Sequence, residues 1–291
     1  MKIYLLQIFV FCTISGTQAQ VPITPIDSMR FYADAMFSMR LIEHKLFAEH
    51  QFLRLATTLI KSNEDSSKLS FHPSFVMAES ADKKLKIVSW QIDENFQNYR
   101  YAAFVFADSC KPIFLKSEER NLNRINFESF TEHNWYGALY YHFVPEKING
   151  YYTLFGYRFS KDGNKHRFID VIKIDQGNIQ IGSPIFKHYD TKEQEELYFR
   201  HVIHYSPSAN VILRYEEDSK MIFFDHIDQI TDSKSGEVLM VPDGTFEAFE
   251  LKDGYWNYIP YQRGEILENA PRERPVLGKD SKDLFGKSKV K

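Results

Sequence analysis

Hydrophobic positions in the first sixty residues recur at helical spacing. Apolar residues return every three or four positions from Met29 to Met39, and a looser series continues to about residue 60. That period places them on one face of a helix, where we expect them to pack against the rest of the protein. The pattern predicts a helical segment over residues 20–62, either one long helix or two helices broken near Glu49, with Asp27 as the N-cap.

A different pattern begins after the polar stretch at residues 62–70. Short runs rich in aromatic and β-branched residues cover residues 85–90, 99–107, 137–144, 151–159, 167–174, 199–205, 211–215, 221–224 and 244–251, with turn-forming sequences at 161–164, 175–178, 217–220 and 242–244. Strands at this spacing, joined by hairpin-length loops, predict a mainly β domain over residues 71–262, built as an antiparallel meander. A sandwich, an irregular barrel and a few propeller-like blades all fit this spacing.

The N-terminus has the order of features that is typical of a secretory signal. A positive charge at Lys2 precedes about a dozen mostly apolar residues, and small residues stand at Thr17 and Ala19. The apolar run is shorter than the ~20 residues that a membrane-spanning helix needs. We therefore expect residues 1–19 to be a cleaved signal peptide and the exported chain to begin at Gln20.

The charge balance and the cysteine content narrow the function classes. The formal net charge is −3, and loss of Lys2 with the signal makes it more negative, so we expect neither nucleic acid nor an anionic membrane as a partner. Removal of the signal leaves Cys110 as the one cysteine, which cannot form an intramolecular disulfide. No stretch after residue 19 is apolar enough to cross a membrane. The tail, residues 263–291, ends in lysines and is predicted to be a flexible terminus.

Several segments together resemble an uncharacterised family of exported proteins from Bacteroidota-type Gram-negative bacteria. They are DKKLKIVSW at residues 82–90, WYGALYY at 135–141, YTLFGY at 152–157, FIDVI at 168–172, MIFFDH at 221–226 and VPDGTF at 241–246. The resemblance covers roughly residues 80–110 and 134–256. It implies export from a Gram-negative cell, to the periplasm or beyond, and it transfers no site residue.

Asp170 interrupts the apolar face of a predicted strand. A period of two places it on the same face as Phe168, Ile172 and Ile174. An unpaired buried carboxylate is costly or takes up a proton, so we expect a cationic or hydrogen-bonding partner. Two interpretations follow: a buried pairing that fixes the strand register, or a catalytic acid.

A hairpin near residue 214 offers such a cation. With the loop at residues 217–220, Arg214 faces Phe223 across the hairpin, and Asp225 is its diagonal neighbour on the same face. Arg214 is therefore the first candidate partner for Asp225 and also a candidate partner for Asp170. We predict that these three residues form a polar cluster at one end of a sheet.

His226, next to Asp225, is a candidate catalytic base. Adjacent residues of a strand point to opposite faces, so these two form a tight dyad only where the strand has ended. His201 and His204 also face apart on their predicted strand. None of the ten histidines has the His-x-x-x-His spacing of a helical metal site, and we predict no specific metal site.

The sequence lacks the common catalytic and nucleotide-binding motifs. It contains no Gly-x-Ser-x-Gly, no Gly-x-Gly-x-x-Gly and no Gly-x-x-x-x-Gly-Lys-Ser/Thr, and Cys110 has no nucleophile context. We therefore predict no cofactor.

Aromatic residues are the one compositional excess, at 15% of the chain. Adjacent rings such as Trp135 and Tyr136 would alternate between the two faces of a strand. Outward rings can stack on sugar faces or on extended peptide, and they can also cover a half-buried sheet face. Trp135, Tyr136 and Arg214 are accordingly the binding candidates.

Two functions compete on these observations. The leading hypothesis is a non-catalytic envelope or secreted protein that recognises a polysaccharide or an envelope protein through its surface. The alternative is a hydrolase whose acid–base chemistry uses Asp170, or Asp225 with His226. A concave surface would distinguish the two hypotheses, because an enzyme needs convergent polar groups in a pocket.

Overall fold

A computed structural model describes most of the chain. The described residues are 24–61, 73–95, 98–108, 110–118, 122–161, 163–189, 194–233 and 236–262. The predicted signal peptide, the polar stretch at residues 62–70 and the tail from residue 263 lie outside them. The chain divides into two compact units, Met1–Phe75 and Val76–Lys291.

The first unit contains two helices, α1 (Pro25–Ser38) and α2 (Ile42–Lys61). A capping box starts α1: Thr24 is the N-cap, and its side chain and that of Asp27 each bond the backbone of the other residue. Asp27, predicted as the N-cap, is therefore the N3 acid of the box. The break between helices lies at residues 39–41 rather than near Glu49, because Met39 already has an extended backbone, with φ −67° and ψ 146°.

The second unit is built from strands. In chain order these are β1 (Val76–Glu79), β2 (Leu85–Asn95), β3 (Asn98–Ala107), β4 (Cys110–Lys116), β5 (Leu139–Ile148), β6 (Tyr151–Phe159), β7 (Lys165–Asp175), β8 (Asn178–Ile181), β9 (Phe186–Tyr189), β10 (Glu195–Tyr198), β11 (His201–Tyr205), β12 (Leu213–Glu216), β13 (Met221–Thr231), β14 (Val238–Lys252) and β15 (Tyr255–Gln262). A 3-10 helix, Leu122–Phe127, precedes β5.

The described strands form three open sheets. The first sheet has the order β1-β2-β3-β4, the middle sheet β11-β7-β6-β5 with β8 paired to β7, and the third sheet β10-β9-β15-β14-β13-β12. All pairings are antiparallel except β15 with β9. The predicted class, mainly β and antiparallel with an N-terminal helical segment, is confirmed, and none of these sheets closes into a barrel.

Two hydrophobic cores lie on opposite faces of the middle sheet. The first core joins Ile87 and Tyr101 of the first sheet to Leu154 and Phe168 of the middle sheet. The second core joins Phe155, Ile169 and Val171 of the middle sheet to residues of the third sheet such as Phe249 and Trp256. Since successive residues of a strand point to opposite faces, β7 supplies both cores in alternation. This explains why apolar residues occupy consecutive positions in its centre, from Phe168 to Ile172, with Asp170 as the exception.

The register of one predicted hairpin is confirmed. Arg214 lies opposite Phe223, and Glu216 lies opposite Met221. The predicted turn at residues 242–244 is wrong, because β14 runs through it and pairs with a longer β13. The pairing shifts register at this point, between Asp225 and Ile227, and the chain turns back farther along, between Thr231 and Val238.

No helix among the described residues is both long and apolar enough to span a membrane.

Candidate functional site

Asp170 is fully buried on the first-core face of β7, and its partner is Arg200. Arg200 Nε lies 3.2 Å from Asp170 Oδ1, and neither side chain is exposed. The same oxygen accepts the backbone N–H of Val171 at 2.8 Å. The other oxygen accepts the hydroxyls of Tyr136 at 2.6 Å and Tyr140 at 3.2 Å. Four donors thus surround the carboxylate and replace its hydration.

Arg200 is equally well satisfied. Its Nη1 donates to the carbonyl oxygens of Ile125 and Glu128, and its Nη2 donates to that of Ile181 at 3.0 Å. The guanidinium carbon lies 4.6 Å from the centre of the Phe130 ring. Arg200 therefore ties the 3-10 helix and β8 to the carboxylate on β7. This geometry favours the interpretation of Asp170 as a buried structural pair over that of a catalytic acid.

Trp135 and Tyr136, the predicted binding aromatics, belong to this buried cluster. Both are fully buried, and Trp135 Nε1 donates to the Tyr140 hydroxyl at 3.3 Å. Burial, and after it the negative charge of Asp170, raise the pKa of Tyr136 well above its usual value. The proposed outward stacking does not fit these positions, since a ring without exposed surface presents no face to an external ligand. The expected alternation failed because both residues precede β5 and lie in irregular structure.

Arg214 does not form the predicted cluster with Asp170 and Asp225, although its charge acts on Asp225. It pairs with Glu216 at 2.8 Å on the exposed surface of β12. Asp225 instead accepts the backbone N–H of Ile212 at 2.7 Å. Burial raises the pKa of Asp225, while the bond from Ile212 and the charges of Arg167 and Arg214 act in the opposite direction. The predicted hairpin register is confirmed. The Arg214 side chain, on an exposed edge strand, contacts Glu216 of the same strand.

His226 forms a pair with Glu247 rather than with Asp225. Its Nδ1 lies 2.7 Å from Glu247 Oε1, which also accepts the Tyr258 hydroxyl at 2.6 Å. The hydrogen bond to Glu247 raises the pKa of His226, so this imidazole favours its protonated form. A carboxylate orients the histidine as an acid–base pair requires.

A pocket of about 330 Å³ opens on the second-core face of the middle sheet. Tyr141 of β5, Tyr157 of β6, Lys165 and Arg167 of β7 and Tyr205 of β11 line it. Val76, Leu139 and Asn210 complete the lining. Its size is at the lower end of the range of small-molecule sites.

Strand register brings these side chains together. Arg167 lies opposite Tyr157 of β6, and Lys165 lies opposite Tyr205 of β11. With a period of two, Lys165 and Arg167 share one face of β7, while Asp170 points to the other. The pocket therefore forms where β6 ends and β7 begins, on the face opposite the Asp170–Arg200 pair.

Hydrogen bonds and ring contacts hold the two cations in the pocket wall. Arg167 Nη1 donates to the Tyr141 hydroxyl at 2.7 Å, and the guanidinium carbon lies 5.6 Å from the centre of that ring. Lys165 Nζ donates to the carbonyl oxygen of Ala209 at 3.3 Å and lies 5.9 Å from the centre of the Tyr205 ring. Burial raises the pKa of all three pocket tyrosines, so their hydroxyls stay protonated as hydrogen-bond donors.

The sequence analysis did not identify these pocket residues. The available signal was Lys165-His166-Arg167, where two cations two residues apart precede the apolar centre of a strand. Alternation places both charges on one face, and such a pair at the end of a buried strand indicates a polar opening in the core. The tyrosines could not be found in this way, because β-sheets also use tyrosine for ordinary packing.

Among the described residues, no group of three or more histidine, cysteine or acidic side chains is placed to hold a metal ion. No protein-family model, curated protein or solved structure matches this chain significantly.

Proposed function

We propose that this is an exported, non-catalytic binding protein that recognises a glycan of the cell envelope through the pocket on its middle sheet. The observation that carries the proposal is the convergence of three tyrosines, two cations and Asn210 around a volume of about 330 Å³. Tyrosine rings offer an apolar face with a polar edge, which suits the alternating CH and OH groups of a sugar.

The pocket lining favours binding over hydrolysis. None of the described lining residues is a carboxylate or a histidine, which are the usual acids and bases of glycoside or peptide cleavage. The position also favours a sugar over an extended peptide. Peptide recognition by strand addition uses the free backbone of a sheet edge, whereas this pocket offers side chains on a sheet face.

Ligand-dependent melting tests the proposal. Because a ligand that binds only the folded state raises the melting temperature, we expect envelope oligosaccharides to shift the melting of the purified protein. Tyr157→Ala should abolish the shift, and Tyr189→Ala should keep it, since Tyr189 is 53% exposed and lies outside the pocket. An unshifted wild type, or an equal shift in Tyr157→Ala, would contradict the proposal.

Export has its own test. When the full chain is expressed in a Gram-negative host, we expect the envelope fraction to contain protein whose N-terminus is Gln20. Intact-mass measurement of that fraction decides the point. A chain that stays in the cytoplasm and retains Met1 would be inconsistent with export.

A hydrolase is the second candidate, and the pair of His226 and Glu247 favours it. The histidine side chain is 39% exposed and its partner 15% exposed, so a substrate can reach the imidazole. Release of reducing ends from a bound glycan, lost in His226→Gln without loss of binding, would establish this function in place of the first.

A further inference from the structure

We propose that the glycan carries a singly charged anionic substituent, and that Lys165 and Arg167 form the subsite that selects it. This inference rests on the proposed function, because it names the ligand class of the same pocket. A uronic-acid carboxylate and a sugar sulfate ester share this chemistry.

The charges around the pocket leave one cation without an acidic partner. Asp225, which is not a lining residue, lies close enough to Arg167 for the two charges to interact, and the opposite charges of Arg214 and Asp243, which also act on it, offset each other. In the described part of the chain, no carboxylate lies within ion-pair distance of Lys165 Nζ, whose hydrogen bond goes to a backbone carbonyl. With Asp225 ionised, the site thus has an excess of one positive charge. A ligand with one negative charge would balance it.

Arg167 provides a second reason. Its Nη1 bonds Tyr141, but its buried Nε has no hydrogen-bond partner among the described residues. An unpaired buried donor is costly, and an anionic acceptor drawn against the guanidinium would relieve that cost through a small movement of the side chain. Tyr141 fixes the plane of the guanidinium and so limits where such an acceptor can sit.

The geometry also indicates how the sugar lies. Lys165 and Arg167 are two residues apart on β7, so their side chains are neighbours on one face. Tyr157 and Tyr205 stand on the strands that flank β7, one on either side. An anionic group between the two cations would place the attached ring against a tyrosine.

The test compares matched oligosaccharides by titration calorimetry at low salt. The probes are an oligogalacturonide, a neutral galacto-oligosaccharide, a sulfated galacto-oligosaccharide and an oligo-glutamate peptide. We expect an anionic sugar to bind at least about tenfold more tightly than the neutral one, because it gains a charge-assisted hydrogen bond. Added salt should reduce that preference.

Lys165→Gln and Lys173→Gln are the matched variants. Both lysines belong to β7 and each ammonium lies near a tyrosine ring, since Lys173 Nζ is 5.5 Å from the centre of Tyr151, but only Lys165 lines the pocket. Lys165→Gln should lose about tenfold in affinity for the anionic sugar and little for the neutral one. Lys173→Gln should behave as wild type. Circular dichroism confirms that both variants fold.

The outcomes distinguish failure of the inference from failure of the proposed function. Preference for the carboxylated or the sulfated sugar supports the inference and identifies the source of the anion. Equal binding of neutral and anionic sugars, or an unchanged preference in Lys165→Gln, overturns the inference while the glycan-binding function stands. Binding of no sugar, with or without binding of oligo-glutamate, overturns both.

Discussion

At Asp170, four protein donors take the place of water around one carboxylate. Removing a charge from water costs several kcal/mol, and the pairing with Arg200 repays it only while the geometry is complete. The pair is therefore weak evidence of high stability, and its hydrogen bonds join β7, β8 and the 3-10 helix at one point. The sequence alone indicated that Asp170 is a polar residue on an apolar strand face. Its structural role follows from its neighbours in the fold.

We expect Asp170→Asn to destabilise the protein by about 3–5 kcal/mol, because it leaves the Arg200 guanidinium buried without a counter-charge. Urea unfolding measures the loss. Asp175→Asn is the control, since Asp175 ends the same strand but is exposed, and such a change costs within about 0.5 kcal/mol. Equal stability of the two variants would show that Arg200 does not depend on this carboxylate.

At the scale of elements, the turn after β8 shows how closely a backbone must approach the ion pair. Gly182 has φ +90°, and a Cβ there would overlap the Arg200 guanidinium and lie 3.1 Å from the carbonyl oxygen of Glu128. The guanidinium cannot move aside, since its donors are engaged on several sides. Glycine is therefore required here for space as well as for backbone conformation.

Gly182→Ala should consequently cost at least about 2 kcal/mol more than Gly244→Ala. Gly244 has a similar φ of +87° but no atom within 4 Å of its Cβ position, so both variants bear the same backbone strain and only one bears the overlap. Chemical unfolding of the two variants gives the difference directly. A similar loss of stability in both variants would mean that the Arg200 side chain can move aside at little cost.

Strand pairing also shows which parts of the fold the sequence could predict. Residues 151–159 have the same bounds as β6, and the hairpin of β12 and β13 has the predicted register, because runs of aromatic and β-branched residues next to clear turns specify both. Several strands of four to eight residues, including β8, β9 and β15, were missed. β8 and β15 each follow a two-residue turn that pairs them with β7 and β14, so a local signal existed and was not used, whereas β9 pairs with β15, which is distant in the chain.

The pocket was beyond prediction because it depends on the pairing of β7 with β11, which are distant in the chain. It joins β5, β6, β7 and β11, so its composition depends on the order of strands in the middle sheet. The sequence supplied the charges at Lys165 and Arg167 but not the tyrosines that would flank them. The role of Arg200 was likewise not predictable from the sequence, because Arg200 lies between β10 and β11 and reaches the Asp170 carboxylate only in the folded chain.

For the molecule as a whole, the packing of the middle sheet on the third sheet contributes to the response to acid. His188 of β9 and His201 of β11 lie within an aromatic cluster, with their ring centres 5.4 Å apart. The His201 ring is 4.6 Å from that of Phe224, and the His188 ring is 4.7 Å from that of Tyr258. Removal from water lowers the pKa of His188 to about 4 and that of His201 to about 3.

These lowered pKa values make the folded state sensitive to low pH. An unfolded histidine takes up a proton near pH 6.5, whereas the folded cluster resists protonation until about pH 4 or 3. Below pH 6.5 the unfolded state binds more protons, so the free energy of unfolding falls as the pH falls toward these values. His226 acts in the opposite sense: its pKa is raised, and its contribution is present below pH 6.5 and lost as the pH rises through the raised value.

We therefore expect His201→Phe to remove part of the acid sensitivity. Phenylalanine fits among Phe224 and Phe249 without a titratable group, so the loss of stability between pH 8 and pH 5 should shrink by about 2 kcal/mol. Urea unfolding at the two pH values measures it, with His133→Phe as the control because the His133 side chain is 86% exposed. An unchanged pH dependence in His201→Phe would show that His201 already binds its proton in the folded protein, and that water reaches the interface between the two sheets.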